Sequence, residues 1–230
     1  GLLGDDADGR TIRADAAAHG IDATQLHATD RAPTSCTDVM TVRDTGRRTF
    51  FHDPGANALL APEHFDFTRT SARHFHLAYL LLLDTLDAPG AEGQPRALEV
   101  LRRARAAGLR TSVDCVSARP HRYPEIVAPA LPAIDVLFAN DFEAEQLTGV
   151  ELGRGSALQR PAVERAARDL IARGVREWVL IHFPAGVCAC SAQGKVHWQP
   201  AVKMPAAEIV GTAGAGDALA AGILYGLHEA

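Results

Sequence analysis

From about residue 74 onward, apolar positions follow two alternating rhythms. "ARHFHLAYLLLLD" is almost continuously apolar, which predicts a strand covered on both faces. A helical period over roughly Pro95 to Ala107 stops at Gly108 and feeds the β-rich run "LRTSVDCVS". A second helical stretch around Pro124 to Leu131 leads into "IDVLFAN", and a third, "AVERAARDLIARG", leads into "VREWVLIHF". Helices that alternate with β-rich runs predict a parallel sheet with right-handed crossovers, the α/β class. Ligands in such sheets sit beyond the carboxyl ends of the strands. That rule marks Asp114 to Ser117, Ala139 to Glu143, and His182 to Gly186.

The first third reads differently. "DADGRTIRADAAAHGID" predicts a helix with Asp8 or Thr11 as its cap and Gly20 as its stop. "TSCTDVMTVRDTGRRTFFH" alternates and carries a turn signal at Asp44-Thr45-Gly46. This hairpin, within about 34–54, breaks the helix–strand order and reads as an antiparallel lid. No repeat or low-complexity linker divides the chain, so residues 1–230 are expected to form one domain.

Composition narrows the function classes. Of 230 residues 47% are hydrophobic, ample for a core, and 23 basic against 28 acidic residues give a net charge of −5. No basic block or basic–aromatic interleaving is present, which argues against a nucleic-acid partner. The longest apolar run, "LAYLLLL", is far short of a bilayer span, so no membrane partner is expected. The first residues carry no leader pattern. Cys36, Cys115, Cys188 and Cys190 lack the spacing of a four-ligand zinc site and read as reduced thiols, which points to the cytoplasm.

The strongest chemical signal is "GTAGAGDALAAGI", residues 211–223. A phosphate-binding loop of the G-x-x-x-x-G-K-[ST] type fails, because Asp217 stands where lysine should be. A dinucleotide fingerprint fails as well, because Leu219 occupies its last glycine position. There remains a loop that enters a helix with its first N–H groups pointing outward, an arrangement that attracts anions. Gly214 and Gly216 would let a phosphate reach the backbone without a Cβ in the way. Asp217 would then stand beside the anion, placed to take a proton from a hydroxyl nucleophile. The plainer alternative is an acid that caps an apolar helix, with glycines serving only tight packing.

At this point the chain resembles a known family. "GTAGAGDALAAG" is similar to the D-T-x-G-A-G-D-x-F-x-x-G signature of the ribokinase-like (PfkB-type) carbohydrate kinases. "NDFEAEQLTG" resembles their N-x-x-E segment, "GLLGDDADG" their G-x-V-G-D-D-x-x-G helix entry, and "GANALL" a segment after their lid. These matches keep their order along nearly the whole chain. The resemblance implies a three-layer α/β/α domain with a mainly parallel sheet and a small β lid. It also implies an ATP-dependent sugar kinase, with a nucleoside kinase of the same fold or a catalytically weak ligand-binding or regulatory homologue as alternatives.

Residue by residue, the resemblance makes Asp217 the base and the N–H groups of Gly214, Ala215 and Gly216 the anion hole. Asn140, His182, Gly186 and Thr212 fall in the nucleotide region. Glu143 falls by the magnesium ion, acting through water. His52, Asp53 and Asn57, where the chain leaves the lid, are candidates for sugar contacts, although Asp53-Pro54-Gly55 is also ordinary turn chemistry. His76 and Tyr79 read as satisfied core polar groups, and "RPHRYPE" as a solvated loop. Pairing of two lids would cover their edges, so a homodimer is plausible. Four departures stand out. Gly211 replaces the Asp linked to monovalent-cation activation, and "IHFPAGV" replaces a T-x-G-x-x-G nucleotide segment. Val116 and Ala118 replace the Asn and Arg of a D-x-N-x-R pattern that retains Asp114, which disfavours sugar acids. Finally, the family's first strand and its G-G-x-x-x-N segment would precede Gly1, and a further nucleotide-side helix would follow Ala230, so the domain is expected to extend past both ends.

Overall fold

The computed structural model describes residues 1–43, 48–90, 92–117, 119–205, 208–209 and 211–229. The chain begins with β1 (Leu2–Gly4) and α1 (Ala7–Ala18), followed by β2 (His27–Thr29), which pairs in parallel with β1. The cap of α1 is Asp6, and neither Asp8 nor Thr11 fills that role. Asp6 Oδ1 accepts the Gly9 N–H at 2.8 Å, while its carboxylate also takes the Thr34 N–H and hydroxyl, each at 2.7 Å. These donors, Gly9 first, hold the Asp6 carboxyl at about 2. Space here is tight: a Cβ on Gly9 would lie 2.3 Å from the Gly4 carbonyl, and one on Gly4 would lie 2.4 Å from the Thr34 nitrogen. The "GDD…G" segment is therefore a packed knot that pins α1 to the loop before the lid.

The lid hairpin forms as expected. β3 (Cys36–Thr41) and β4 (Arg48–Asp53) run antiparallel, with Cys36 opposite Asp53 and Val39 opposite Phe50. The expected turn at 44–46 lies outside the described residues. Val39, Met40, Phe50 and Phe51 are all exposed on this ribbon. Three short helical turns (residues 55–59, 62–64 and 67–69) then carry the chain to the main sheet.

The second part alternates as the hydrophobic pattern predicts. β5 (His74–Leu80), α2 (Asp84–Asp87), α3 (Arg96–Ala106) and β6 (Arg110–Cys115) precede β7 (Val136–Asn140), α4 (Asp141–Thr148) and α5 (Arg160–Ala172). β8 (Trp178–Phe183), β9 (Gly186–Ser191), β10 (Val196–Pro200) and α6 (Ala215–Glu229) complete the described chain. The six-stranded sheet has the order β10-β9-β8-β7-β6-β5. β5 to β8 are parallel; β9 and β10 are added antiparallel.

Two expectations change here. β5 is the outer strand of this sheet, and His74, Phe75 and His76 are only half-buried, although its sequence reads as covered on both faces. The stretch around Pro124 to Leu131 does not form an α-helix; it divides into a wide turn over Tyr123–Val127 and a tight one over Ala128–Ala133. Pro124, Pro129 and Pro132 each remove a backbone donor, so the i to i−4 ladder cannot propagate.

Side-chain alternation along β7 separates two apolar layers. Leu137 and Ala139 join Val113, Val179 and Ile181 beneath α3, α4 and α5. Val136 and Phe138 point the other way and, with Leu180 and Val187, receive α6 through Ala220, Leu219, Ile223 and Leu224. The outcome is helices on both faces of a mostly parallel sheet. The catalytic-looking acid at the start of α6 is thereby carried by a helix seated on the centre of the sheet.

Candidate active site

The carboxyl ends of β6, β7 and β8 meet the amino end of α6. Gly214 has φ +78°, in the left-handed region that favours glycine, and its carbonyl accepts the first helical bond from Ala218 at 2.9 Å. The Ala215 N–H is donated to the Thr212 carbonyl at 3.3 Å, a long bond for an amide. The helix supplies no acceptor for the N–H groups of its first turn, which here include Gly216 and Asp217. Asp217 itself lies in that turn and is exposed.

Three side chains converge on Asp217, of which the strand-end rule applied to the sequence marks Asp114 alone. The Tyr79 hydroxyl, near the end of β5, donates to Asp217 Oδ1. Burial raises the Tyr79 phenol well above its ordinary value, and the Asp217 carboxylate adds to the effect. Asp114, at the end of β6, is pushed up to about 6, chiefly by burial and further by the charge of Asp217. His76 is lowered by burial, with Asp217 pulling in the opposite direction. Its Nδ1 lies 2.8 Å from the Ser112 hydroxyl. Tyr79 is therefore more than a core polar group; it is the hydrogen-bond partner of the candidate base. The rule that ligands gather at strand ends, applied to β5 as well, would have pointed to it.

Asn140 and Glu143 form a complete capping box at the start of α4. The Glu143 N–H donates to Asn140 Oδ1 and the Asn140 N–H donates to Glu143 Oε2, both at 2.9 Å. Glu143 Oε1 also accepts from Asn140 Nδ2 at 2.7 Å and from the Ser117 hydroxyl at 2.9 Å. Burial pushes Glu143 up to about 7, with Asp114 adding to the rise. A carboxylate with about four acceptor directions has one left, enough for a water of a hydrated magnesium ion and too few for an inner-sphere clamp. Among the described residues no group of His, Cys, Asp and Glu is arranged to hold a metal alone.

The buried Glu143 gives a signed pH prediction. Its folded value of about 7 lies above the ordinary 4.5, so its stability contribution is complete below that ordinary value and is lost as pH rises through 7. Glu143→Gln keeps a capping residue and removes the titration. Thermal and urea unfolding between pH 4 and pH 8 should show wild type losing about 3 kcal/mol relative to the variant across that span. Parallel curves for the two proteins would mean that Glu143 does not titrate in this window.

The remaining candidates fall in distinct places. His182 lies between Asn140 and Val187 in register, and its ring packs on Gly216, where a Cβ would lie 3.6 Å from His182 Cε1. Burial lowers its pKa, so it meets this helix start as a neutral imidazole at pH 7. It thus both closes β8 and faces the glycine turn. Gly186 has φ +150°, and a Cβ there would meet the Gln199 carbonyl at 2.3 Å, so strand pairing already requires glycine. At the lid base, His52 Nδ1 is 2.7 Å from the Thr37 hydroxyl and its Nε2 is buried without a partner. Asp53 Oδ1 accepts the Gly55 N–H at 3.0 Å, which is turn chemistry, and Asn57 lies in the following helical turn. Among the described residues no hydrogen bond joins His52, Asp53 or Asn57 to Asp217. In the segment read as a solvated loop, Arg122 turns inward, donating to the Leu81 carbonyl at 2.8 Å and to Asp87 at 3.0 Å.

The family model for pfkB family carbohydrate kinases matches residues 1–230. The chain is 28% identical to aminoimidazole riboside kinase of Salmonella typhimurium, an alignment that covers all of this chain and 67% of that protein. It is 29% identical to ATP-dependent ribose-1-phosphate kinase of Halopiger xanaduensis, over 97% of this chain and 64% of that protein. The chain thus spans about two thirds of the length of these relatives. The structure of ribokinase from Giardia lamblia superposes with a TM-score of 0.73 at 18% identity, covering 94% of this chain and 62% of that one. No helix among the described residues is long and apolar enough to cross a membrane.

Proposed function

The chain belongs to the pfkB family of carbohydrate kinases, and from that premise we propose that its protein transfers the γ-phosphate of ATP to a hydroxyl of a ribose-bearing substrate. The observation that carries this reading is Asp217 in the first turn of α6, behind a glycine-rich approach and beside Tyr79 and Asp114. The Asp217 carboxylate takes the proton of the acceptor hydroxyl as its oxygen attacks the γ-phosphorus in line with the departing ADP. N–H groups of Gly214, Ala215 and Gly216, with the positive end of α6, stabilise the charge on the transferring group. An arriving phosphate would outcompete the long Ala215-to-Thr212 bond for that donor. Asn140, His182, Gly186 and Thr212 line the nucleotide side. Magnesium, held by the ATP phosphates and through water by Glu143, neutralises phosphate charge when bound.

The sugar side rests on thinner support. Both curated relatives have a ribose in their names, one as a riboside and one as a phosphorylated sugar. A nucleoside kinase is therefore the immediate rival to a free-sugar kinase. His52, whose Nε2 is buried without a partner, is the best-supported lid contact for a substrate hydroxyl, followed by Asn57 and Asp53. One kinase domain and a cytoplasmic setting complete the reading. The exposed Val39, Met40, Phe50 and Phe51 support a homodimer formed through the lids.

The test is ADP release by the full-length protein across free sugars, sugar phosphates and nucleosides, with Asp217→Asn as control. Asp217-dependent turnover on at least one ribose-bearing substrate is expected. If no substrate gives it, the kinase reading fails; turnover on nucleosides alone would replace the free-sugar reading.

A further inference from the structure

We propose that Tyr79 is the positioning residue of the candidate base, holding the Asp217 carboxylate aimed at the acceptor hydroxyl. The functional half of this inference rests on the kinase reading above.

The argument begins with exposure. Asp217 sits on the first turn of a helix and is solvent-exposed, so its side chain would sample several rotamers if nothing held it. Its hydrogen-bond partner comes from a different layer of the fold. Tyr79 is on β5, 138 residues earlier in the chain, and its hydroxyl donates to Asp217 Oδ1. The phenol ring is half-buried on the outer strand of the sheet, so it is a stiffer anchor than water or a long flexible side chain. One oxygen of Asp217 is thereby engaged, and Oδ2 is left for the proton that the reaction releases. Geometry of this kind separates a base that is merely nearby from one that is aligned.

The chemistry of the neighbours makes this hydrogen bond consequential. The groups that face this end of α6 are Tyr79 and His76 from β5, Asp114 from β6, and His182 from β8, which packs on Gly216. None of the four brings a fixed positive charge. Asp114, when ionised, raises the cost of a second carboxylate beside it. His76 and His182 are both driven toward the neutral form by burial. The Tyr79 hydroxyl is thus the one group in this set that directly donates to Asp217. Because burial and the carboxylate together raise the Tyr79 phenol, it stays a protonated donor at neutral pH.

Tyr79→Phe removes the hydroxyl and keeps the ring. In carboxyl-carbon NMR of the full-length protein, with Asp217→Asn used to assign the signal, the Asp217 carboxyl resonance at constant pH should move in Tyr79→Phe, because the hydroxyl that donates to Oδ1 is gone. Kinetically, kcat should fall about tenfold with KM values for ATP and substrate nearly unchanged. In an Asp217→Asn background, Tyr79→Phe should change nothing further, because both act on one proton transfer. An unmoved Asp217 carboxyl resonance overturns the proposal whatever the turnover. An equal loss in the Asp217→Asn background also overturns it, by showing that Tyr79 acts elsewhere. If the resonance moves while wild type shows no Asp217-dependent ADP release, the hydrogen-bond coupling stands and the kinase reading is the part that fails.

Discussion

Asp217→Asn is expected to lower kcat by about 10²–10⁴-fold, the range that a well-placed general base contributes. Asn has nearly the same shape, and its Oδ1 can still accept the Tyr79 hydroxyl, so the contact between β5 and α6 survives. What disappears is the ability to take a proton. The N–H groups of the glycine turn are backbone and are unaffected, so KM for ATP should stay within a few-fold of wild type. A loss confined to kcat is the mark of an interaction made only in the transition state. The measurement is steady-state ADP release together with a thermal melt to confirm an unchanged fold. A variant that retains kcat within tenfold would remove Asp217 from the role of base.

The second large effect is on stability. Phe138→Ala should cost about 3–5 kcal/mol, a substantial share of the roughly 5–15 kcal/mol that holds a typical domain together. Phe138 is 1% exposed and belongs to the apolar patch on which Ala220, Leu219 and Ile223 of α6 rest. Its ring also meets His76 edge-on, at 6.0 Å between centroids and 82° between planes. Truncation would open a cavity under the middle of α6 and loosen the ring that stands near Asp217. Urea unfolding should show the lower midpoint, and turnover should fall even at urea-free conditions where the chain remains folded. Phe138→Leu should recover most of both losses. A stability change below about 1 kcal/mol would mean that α6 is not seated as described.

The sequence shows some of these features more readily than others. The α/β order is legible because long apolar periods on α3 and α5 and β-rich runs on β6 to β8 are local properties. The Asn140–Glu143 pairing is legible too, since a capping box needs only a spacing of three. Asp6 is not: "DDAD" offers several acids, and the choice is made by Thr34, 28 residues away. The outer position of β5 is equally hidden, because nothing within "HFHLAYL" says which neighbours a strand will have. Tyr79 was missed for a related reason. Alternation tells which face a side chain takes, whereas its partner is set by how far β5 and α6 are brought level across the sheet. The failed helix near Pro124 is a different matter. Its three prolines stand in plain sequence, and their missing N–H groups outweigh the apolar periodicity there.

The lid hairpin has one more consequence. β3 and β4 pair only with each other within the described sheets and expose most of their large apolar side chains. Asp217, Tyr79, Asp114 and the Asn140–Glu143 box all belong to the main sheet and its helices. Substitutions on the outer face of the ribbon should therefore leave the strand pairing of the main sheet undisturbed.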